Sequence, residues 1–183
     1  MYLSIDIDFW NCLGVDNLIE TLELVRDSGK LRQVCDNHRC LLKSVNKSGC
    51  TTLINVDTHS DIVSDSDLEY LRHSKYPILN CGTWVNHVNK CLRSEFVWFY
   101  PKDYGLRCET EGNPFAEPEK IGWKTVQETP VSLFPIDLIA DATDIGIAVS
   151  YYWLERELTK EKVQWVFKKV FDKVPQHKTK NCH

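Results

Sequence analysis

The sequence predicts an α/β protein, a three-layer α/β/α sandwich built on a mainly parallel sheet. Short apolar segments typical of buried strands alternate along the chain with amphipathic helical segments, the order that βαβ units produce. Hydrophobic residues make up 43% of the 183 residues, which is enough for a sizeable core. Two of the apolar segments end in carboxylates, and parallel sheets place their functional groups at such strand ends.

The first third of the chain contains three predicted strands and two predicted helices. Apolar residues at helical spacing predict a first helix that begins with Asp16 as its N-cap and ends just before Gly29. Residues 39–47 are expected to form the second helix. The predicted strands span residues 2–7, 31–35 and 51–56.

The rest of the chain is predicted to hold two helices, four strands and one long irregular segment. Ser64-x-x-Asp67 is typical of the start of a helix. The last helix is expected to begin at Thr159 and to end at Pro175, with apolar residues at helical spacing between them. Residues 101–130 hold four of the seven prolines and are predicted to form an irregular excursion. The remaining predicted strands span residues 77–79, 95–100, 131–138 and 145–150.

Composition and charge argue against several classes of protein. Lys and Arg number 22 against 26 Asp and Glu, a formal net charge of −4, which argues against a nucleic-acid partner. No apolar run approaches the roughly 20 residues of a membrane span, and the eight cysteines form no C-x-x-C pair. We therefore expect a cytoplasmic protein with reduced thiols and no membrane partner, a single domain over residues 1–176 followed by a flexible tail at 177–183.

Two acidic motifs stand at the ends of predicted strands. Asp6-x-Asp8 closes the first strand, and Asp57-x-His59-x-Asp61 closes the strand at 51–56. Residues two apart in an extended chain point to the same side, so each motif presents its ligand side chains together. Four carboxylates in one cleft would repel one another unless a pair of divalent cations neutralised them. Oxygen-rich ligands with imidazole favour Mn²⁺ over Fe²⁺, Co²⁺ or Zn²⁺. The alternative is that each motif only caps a turn or forms a solvated loop.

These motifs resemble those of a known group of enzymes. The S-x-D-x-D pattern at residues 4–8 and the D-x-H-x-D pattern at 57–61 resemble the ureohydrolase superfamily, which contains arginase and agmatinase, and its deacetylase relatives. There the two segments bind a dinuclear manganese centre, with one further histidine that precedes the D-x-H-x-D strand. By resemblance that histidine is His38, which could instead simply cap the helix that follows. The implied metal ligands are Asp6, Asp8, His38, Asp57, His59 and Asp61.

The order of the motifs departs from that of the arginases. There the S-x-D-x-D strand comes late in the chain, whereas here it comes first, so we expect an arginase-like fold that is circularly permuted. The chain is also much shorter than an arginase. This arrangement resembles the small ureohydrolase-like family that contains the peptide arginases. The resemblance implies that the partner is a ribosomally made precursor peptide, whose arginine side chains are converted to ornithine with release of urea.

The resemblance also implies roles for individual residues. Asp6 and Asp57 would bridge the two ions, with His38 and Asp61 completing one metal site and His59 and Asp8 the other. His87 is the candidate proton shuttle, with a structural histidine as the alternative. A guanidinium group is best held by a carboxylate, and the candidates are Asp144, Asp141 and Glu95. Trp10 and Trp84 would line a substrate groove or belong to the core, and the acidic stretch at 109–119 would steer a cationic peptide or be a solvated surface.

Four other functions compete with this interpretation. A deacetylase-like amide hydrolase would use the same metal motifs on a different substrate, but deacetylases of this type need fewer ligands. A metallophosphoesterase should carry a later G-N-H-[DE] segment, which is absent, and a haloacid-dehalogenase phosphatase should carry a small β-branched residue where this chain has Phe9-Trp10. A non-catalytic family member that binds a peptide without turnover is the remaining alternative.

Overall fold

The structure is a computed structural model and describes residues 1–11, 13–74, 78–102, 122–154 and 158–173. The acidic stretch at 109–119 and the predicted tail at 177–183 lie outside the described residues. The strands are β1 (Tyr2–Asp6), β2 (Leu31–Cys35), β3 (Thr52–Val56), β4 (Glu95–Pro101), β5 (Thr125–Val131) and β6 (Asp144–Ala148). The α-helices are α1 (Val15–Asp27), α2 (Leu42–Ser48), α3 (Asp65–Arg72), α4 (Asp137–Asp141) and α5 (Lys160–Phe171).

The six strands form one sheet in the order β2-β6-β1-β3-β4-β5. All five strand pairs are parallel, so every strand in the described part of the chain ends at the same edge of the sheet. The strand that comes first in the sequence, β1, lies near the centre, between β6 and β3. The predicted α/β class with a mainly parallel sheet is therefore confirmed.

Helices cover both faces of the sheet, because both faces are apolar. Leu3 and Ile5 of β1 point to one face and share a hydrophobic cluster with α1, α4 and α5. Tyr2 points to the other face and belongs to a second cluster with Val45 of α2 and the short 3₁₀ segment Trp84–His87. The alternation along β1 places a buried layer on each side of the sheet, as expected for parallel strands.

Two of the predicted helix starts are confirmed, and one is wrong. The Ser64 hydroxyl accepts a hydrogen bond from the Asp67 backbone N–H, and the Thr159 hydroxyl accepts one from Lys162. In contrast, α1 begins two residues earlier than predicted. Its N-cap is Gly14, whose φ of +84° suits glycine, and Asp16 lies inside the first turn, where its charge complements the helix dipole.

The strand predictions fail where the sequence is polar or mixed. The segment predicted as an irregular excursion contains β5, which pairs with β4 at the edge of the sheet. Residues 131–138, predicted as a strand, instead comprise the last residue of β5, a connection and the start of α4. Residues 78–79 form a bend, not a strand. Within the described residues, no helix combines the length and apolarity needed to cross a membrane.

Candidate metal centre

The sheet brings the two acidic motifs together. In the register of β1 and β3, Ile5 lies beside Val56, so Asp6 and Asp57 follow at adjacent positions of the same edge. Both strands run in the same direction, and their carboxyl ends therefore meet where α/β proteins place binding sites. Thus the predicted convergence of the D-x-D and D-x-H-x-D motifs is what the strand pairing produces.

His38 reaches the same edge from β2. It lies in the 3₁₀ segment His38–Leu41, three residues beyond the end of that strand, and its ring stacks on Trp84 with centroids 5.4 Å apart. Its Nδ1 atom faces three carboxylate oxygens at 3.3, 3.0 and 2.6 Å, from Asp6, Asp57 and Asp61 respectively. One imidazole nitrogen and three carboxylates thus point at a common centre.

A second group forms around His59. Its Nδ1 atom lies 3.4 Å from Oδ2 of Asp8 and 3.7 Å from Oδ1 of Asp57. Asp57 therefore presents Oδ1 to this group and Oδ2 to His38. Since ligand atoms of Asp6, His38 and Asp57 lie within 4.8 Å of one another, and those of Asp8, Asp57 and His59 do likewise, Asp57 is shared by two potential metal sites.

Hydrogen bonds hold the carboxylates in place. The backbone N–H of His59 donates to Asp57 Oδ1 at 2.9 Å, and the backbone N–H of Asp8 donates to Asp6 Oδ1 at 3.2 Å. The Trp84 indole N–H donates to Asp61 Oδ2 at 2.7 Å. Such outer contacts fix the orientation of potential ligands in the way that second shells of metal sites do.

Burial makes the negative charges at this site unfavourable. Burial and the nearby Asp8 raise the pKa of Asp6 well above its ordinary value of 3.8. Burial and the Asp57 charge raise the pKa of Asp8 to about 6 and that of Asp61 to about 7. These carboxyl groups hold protons more tightly than they would in water, because burial and the neighbouring carboxylates disfavour their charged forms.

For the two imidazoles and Asp57, in contrast, the shifts in pKa favour the charged form. Although burial opposes it, the carboxylates of Asp6, Asp61 and Asp57 raise the pKa of His38 well above 6.5. Burial also opposes a rise in the pKa of His59, but Asp57 and Asp8 raise this pKa nevertheless. Burial would raise the pKa of Asp57, but His38 and His59 hold it below its ordinary value. Asp57 is thus the carboxylate of this site that is ionised most readily.

The donor set fits divalent cations. Asp8 Oδ1 is a buried side-chain atom without a hydrogen-bond partner. An acceptor left in this state costs free energy that a bound cation or a water would recover. Carboxylate oxygens with one imidazole on each side of Asp57 are the ligand types of borderline divalent metals. The predicted residues Asp6, His38, Asp57 and His59 could therefore hold metal ions.

The other predicted residues near this edge have different surroundings. Trp84 is completely buried and contacts both His38 and Asp61. Trp10 is also completely buried, stacked on Phe134 in the core. His87 lies in the same 3₁₀ segment as Trp84, with its Nε2 atom 3.4 Å from the Ile78 carbonyl oxygen. Neither tryptophan presents surface to a substrate, and a proton-shuttle role for His87 stays a prediction.

The three carboxylates predicted to hold a guanidinium group lie at the opposite edge of the sheet. Asp144 begins β6 beside Tyr2, four residues before Asp6, a separation of about 13 Å along a strand. It forms an ion pair with Arg32. Glu95 begins β4 and accepts a hydrogen bond from Thr52, and Asp141 ends α4 on the exposed surface. The structure does not bring these residues to the candidate metal centre.

Three residues at the site were missed in the sequence. The Thr58 hydroxyl donates to Asp8 Oδ2 at 2.8 Å, and the Ser150 hydroxyl donates to Asp6 Oδ2. The Trp153 ring lies against His59, with centroids 4.9 Å apart. A signal for Ser150 was available, because it lies just beyond the buried strand β6 at the edge that carries the motifs.

Comparison of the chain with models of protein families, with curated proteins and with solved structures gave no match. The function is therefore inferred from the site itself.

Proposed function

We propose that the protein is a dinuclear-metal hydrolase, with Mn²⁺ as its ion, that cleaves the guanidino group of arginine residues in a ribosomally made precursor peptide. The products are ornithine and urea. The observation that carries the proposal is the position of Asp57, whose two oxygens face His38 at 3.0 Å and His59 at 3.7 Å. A carboxylate placed between two Asp/His groups is the arrangement that a two-metal site requires.

The chain supplies the two halves of such a site from different elements. Asp6, His38 and Asp61 would hold one ion, and Asp8 and His59 the other, with Asp57 shared between them. Asp6, which the resemblance implies as a second bridge, is grouped with His38 and Asp57 only. A pair of divalent cations supplies a water of lowered pKa as nucleophile and polarises the group under attack. Ser150 and Thr58 keep Asp6 and Asp8 oriented, and Trp84 does the same for Asp61.

The choice of substrate rests on the resemblance in sequence. The proposed ligands lie in the S-x-D-x-D and D-x-H-x-D patterns of the ureohydrolases, and β1, the first strand in the chain, occupies a central place in the sheet. We infer from the motifs and the place of β1 that the fold is arginase-like, with the order of its strands along the chain circularly permuted. The described cysteines are free thiols, which supports a cytoplasmic location.

A urea assay tests the proposed function. The purified protein loaded with Mn²⁺ is incubated with free arginine and with peptides that contain arginine, and urea and ornithine are measured. We expect both products from the peptides, and none from the Asp57→Asn variant. If metal is bound and no guanidino substrate yields urea, the hydrolase proposal is wrong in its substrate or in its chemistry.

A parallel incubation with acetyl-lysine peptides separates these cases. Release of acetate would favour the deacetylase-like alternative, which uses the same ligands. Binding of a peptide without any product would favour the non-catalytic alternative. Each outcome is distinct from the urea and ornithine that we expect.

A further inference from the structure

Access to the candidate metal centre is strongly asymmetric. The side chains of Asp6, Asp57 and His38 are 3%, 1% and 2% exposed, whereas that of His59 is 32% exposed. Asp8 and Asp61 are buried as well, at 1% and 6%. A substrate therefore has to approach this site from the His59 side.

The 3₁₀ segment Tyr151–Trp153 borders that opening. It follows shortly after β6, and a hydrogen bond holds it at each end. At one end Ser150, in the left-handed backbone region with a φ of +44°, donates its hydroxyl to Asp6. At the other end the Asn11 side-chain amide donates to the Trp153 carbonyl oxygen at 2.7 Å. The segment is thus held in one position relative to the ligands.

Trp153 presents a large aromatic surface at this position. Its ring is tilted by 51° against that of His59, with centroids 4.9 Å apart, and the residue remains 50% exposed. The neighbouring Tyr152 is 62% exposed. Exposed aromatic side chains beside a buried polar site provide rigid contact area for a ligand at low entropic cost.

An acidic residue and a cation–π contact lie beside the segment. Burial is the main cause of the raised pKa of Tyr151, and the smaller contribution of the Asp36 carboxyl shows that this acid lies near the ring. The Asp36 carbonyl oxygen accepts a hydrogen bond from the Ser150 backbone N–H at 3.1 Å, which fixes this acidic residue beside the segment. The chain itself already places a cation on one of these rings, since Lys160 Nζ lies 5.4 Å from the centroid of Tyr151.

We propose that Trp153 is the platform on which the planar guanidinium group of the substrate stacks before it reaches the metal centre. The inference rests on the proposed function and names the group that replaces the carboxylate clamp expected from the sequence. A guanidinium group is flat, weakly hydrated and attracted to the face of an indole ring. Trp153 is a positioning residue, which acts on the affinity for the substrate.

Binding of three matched peptides tests the platform. Each peptide carries one central residue, either arginine, citrulline or lysine, and its binding to the Mn²⁺-loaded protein is measured by stopped-flow mixing, before the arginine peptide is turned over. We expect the arginine peptide to bind best, because citrulline is neutral and lysine is not planar. Trp153→Ala should weaken binding of the arginine peptide about 3- to 30-fold, the range of a cation–π contact, and Trp153→Phe should restore most of it.

Trp165→Ala is the matched control. Trp165 is 56% exposed on α5, where Lys169 Nζ lies 5.3 Å from its ring centroid, and this variant should bind all three peptides as the parent does. Loss of arginine and citrulline binding to the same extent in Trp153→Ala would overturn the platform. Loss of bound manganese in that variant would also overturn it, since Trp153 would then only support His59.

Urea release from the same samples separates the two proposals. If urea forms, Trp153→Ala should raise KM and leave kcat almost unchanged, as expected for a contact made before the chemical step. Unchanged KM would overturn the platform and leave the hydrolase intact. Arginine-selective binding that depends on Trp153, without any urea, would support the platform and contradict the proposed function.

Discussion

The carboxylates at the two edges of the sheet have different partners. At the amino edge, Asp144 has an ion pair with Arg32, and Glu95 accepts a hydrogen bond from Thr52. At the carboxyl edge, four buried carboxylates face only two imidazoles, so at least two of these carboxylates have no imidazole of their own among the described residues. The same sheet carries both arrangements, about 13–16 Å apart.

This difference separates a structural role from a binding role. A carboxylate that forms an ion pair with a basic side chain of the same protein contributes to the stability of the fold and needs no bound ligand. A group of buried acids without enough cations is unfavourable on its own, and it becomes favourable only when positive charge is supplied from outside. The carboxyl edge is therefore the part of the molecule that could take up metal ions.

The largest effect should follow from changing the shared carboxylate. Asp57→Asn keeps the volume of the side chain but removes the charge that lies between His38 and His59. We expect the parent protein to bind two equivalents of Mn²⁺ and the variant to bind less than one, with hydrolytic activity reduced by a factor on the order of a thousand or more. Elemental analysis after gel filtration measures the bound metal.

Circular dichroism serves as the control for this variant, because a loss of metal is informative only if the sheet is intact. Two equivalents of metal in a folded Asp57→Asn protein would show that the ligands are assigned wrongly. The two edges would then no longer differ in the way described.

The second effect concerns stability. Binding of ions to the folded state alone adds about 3–4 kcal/mol at 100 to 1,000 times the dissociation constant. Removal of metal with a chelator should therefore lower the melting temperature by about 6–16 °C for a chain of this size. Differential scanning calorimetry with and without chelator measures the difference.

The size of this difference should depend on pH. In the metal-free protein the folded pKa values of Asp8 and Asp61 are about 6 and about 7, above the ordinary 3.8. Their contribution to stability is fully present below about pH 4 and is lost as the pH rises through 6 and 7. The chelated protein should thus melt lower at pH 7.5 than at pH 5.5, and the loaded protein should not. If the difference in melting temperature between the loaded and the chelated protein stays constant over this range, it would contradict an excess of carboxylates over imidazoles at the site.

The smallest effect is expected at the amino edge. Asp144→Ala removes the ion pair with Arg32, whose side chain is 56% exposed. The loss should be at most about 1 kcal/mol, or about 2–4 °C in melting temperature. Metal content and the response to chelator should stay those of the parent. Loss of metal from Asp144→Ala would show that the two edges are coupled.

The residues at the carboxyl edge were predicted well from the sequence, because the spacing within each motif determines which side chains point the same way. A D-x-D and a D-x-H-x-D at strand ends converge whenever the two strands are parallel neighbours, which β1 and β3 are. The same reasoning applied to Asp144 and Glu95 would have placed them correctly. Both residues begin strands, so the shared direction of the sheet carries them to the other edge.

The parts of the fold that were missed carry little local signal. The strand β5 (Thr125–Val131) reads Thr-Val-Gln-Glu-Thr-Pro-Val, without the apolar pattern of a buried strand, because it lies at the edge of the sheet and is mostly exposed. Its proline is tolerated there, since an edge strand has one side without a ladder. Trp153 was missed for another reason. An aromatic residue after a strand is typical of a core position, and only the fold shows that it borders the opening.

The central position of β1 has a consequence for the order in which the site forms during synthesis. Asp6 and Asp8 are made before the rest of the sheet, but β1 lies between β3 and β6, and Asp6 is held by Ser150, which is 144 residues further along the chain. Contacts at such long range form late in folding. The candidate ligands that leave the ribosome first are therefore among the last to be fixed in position.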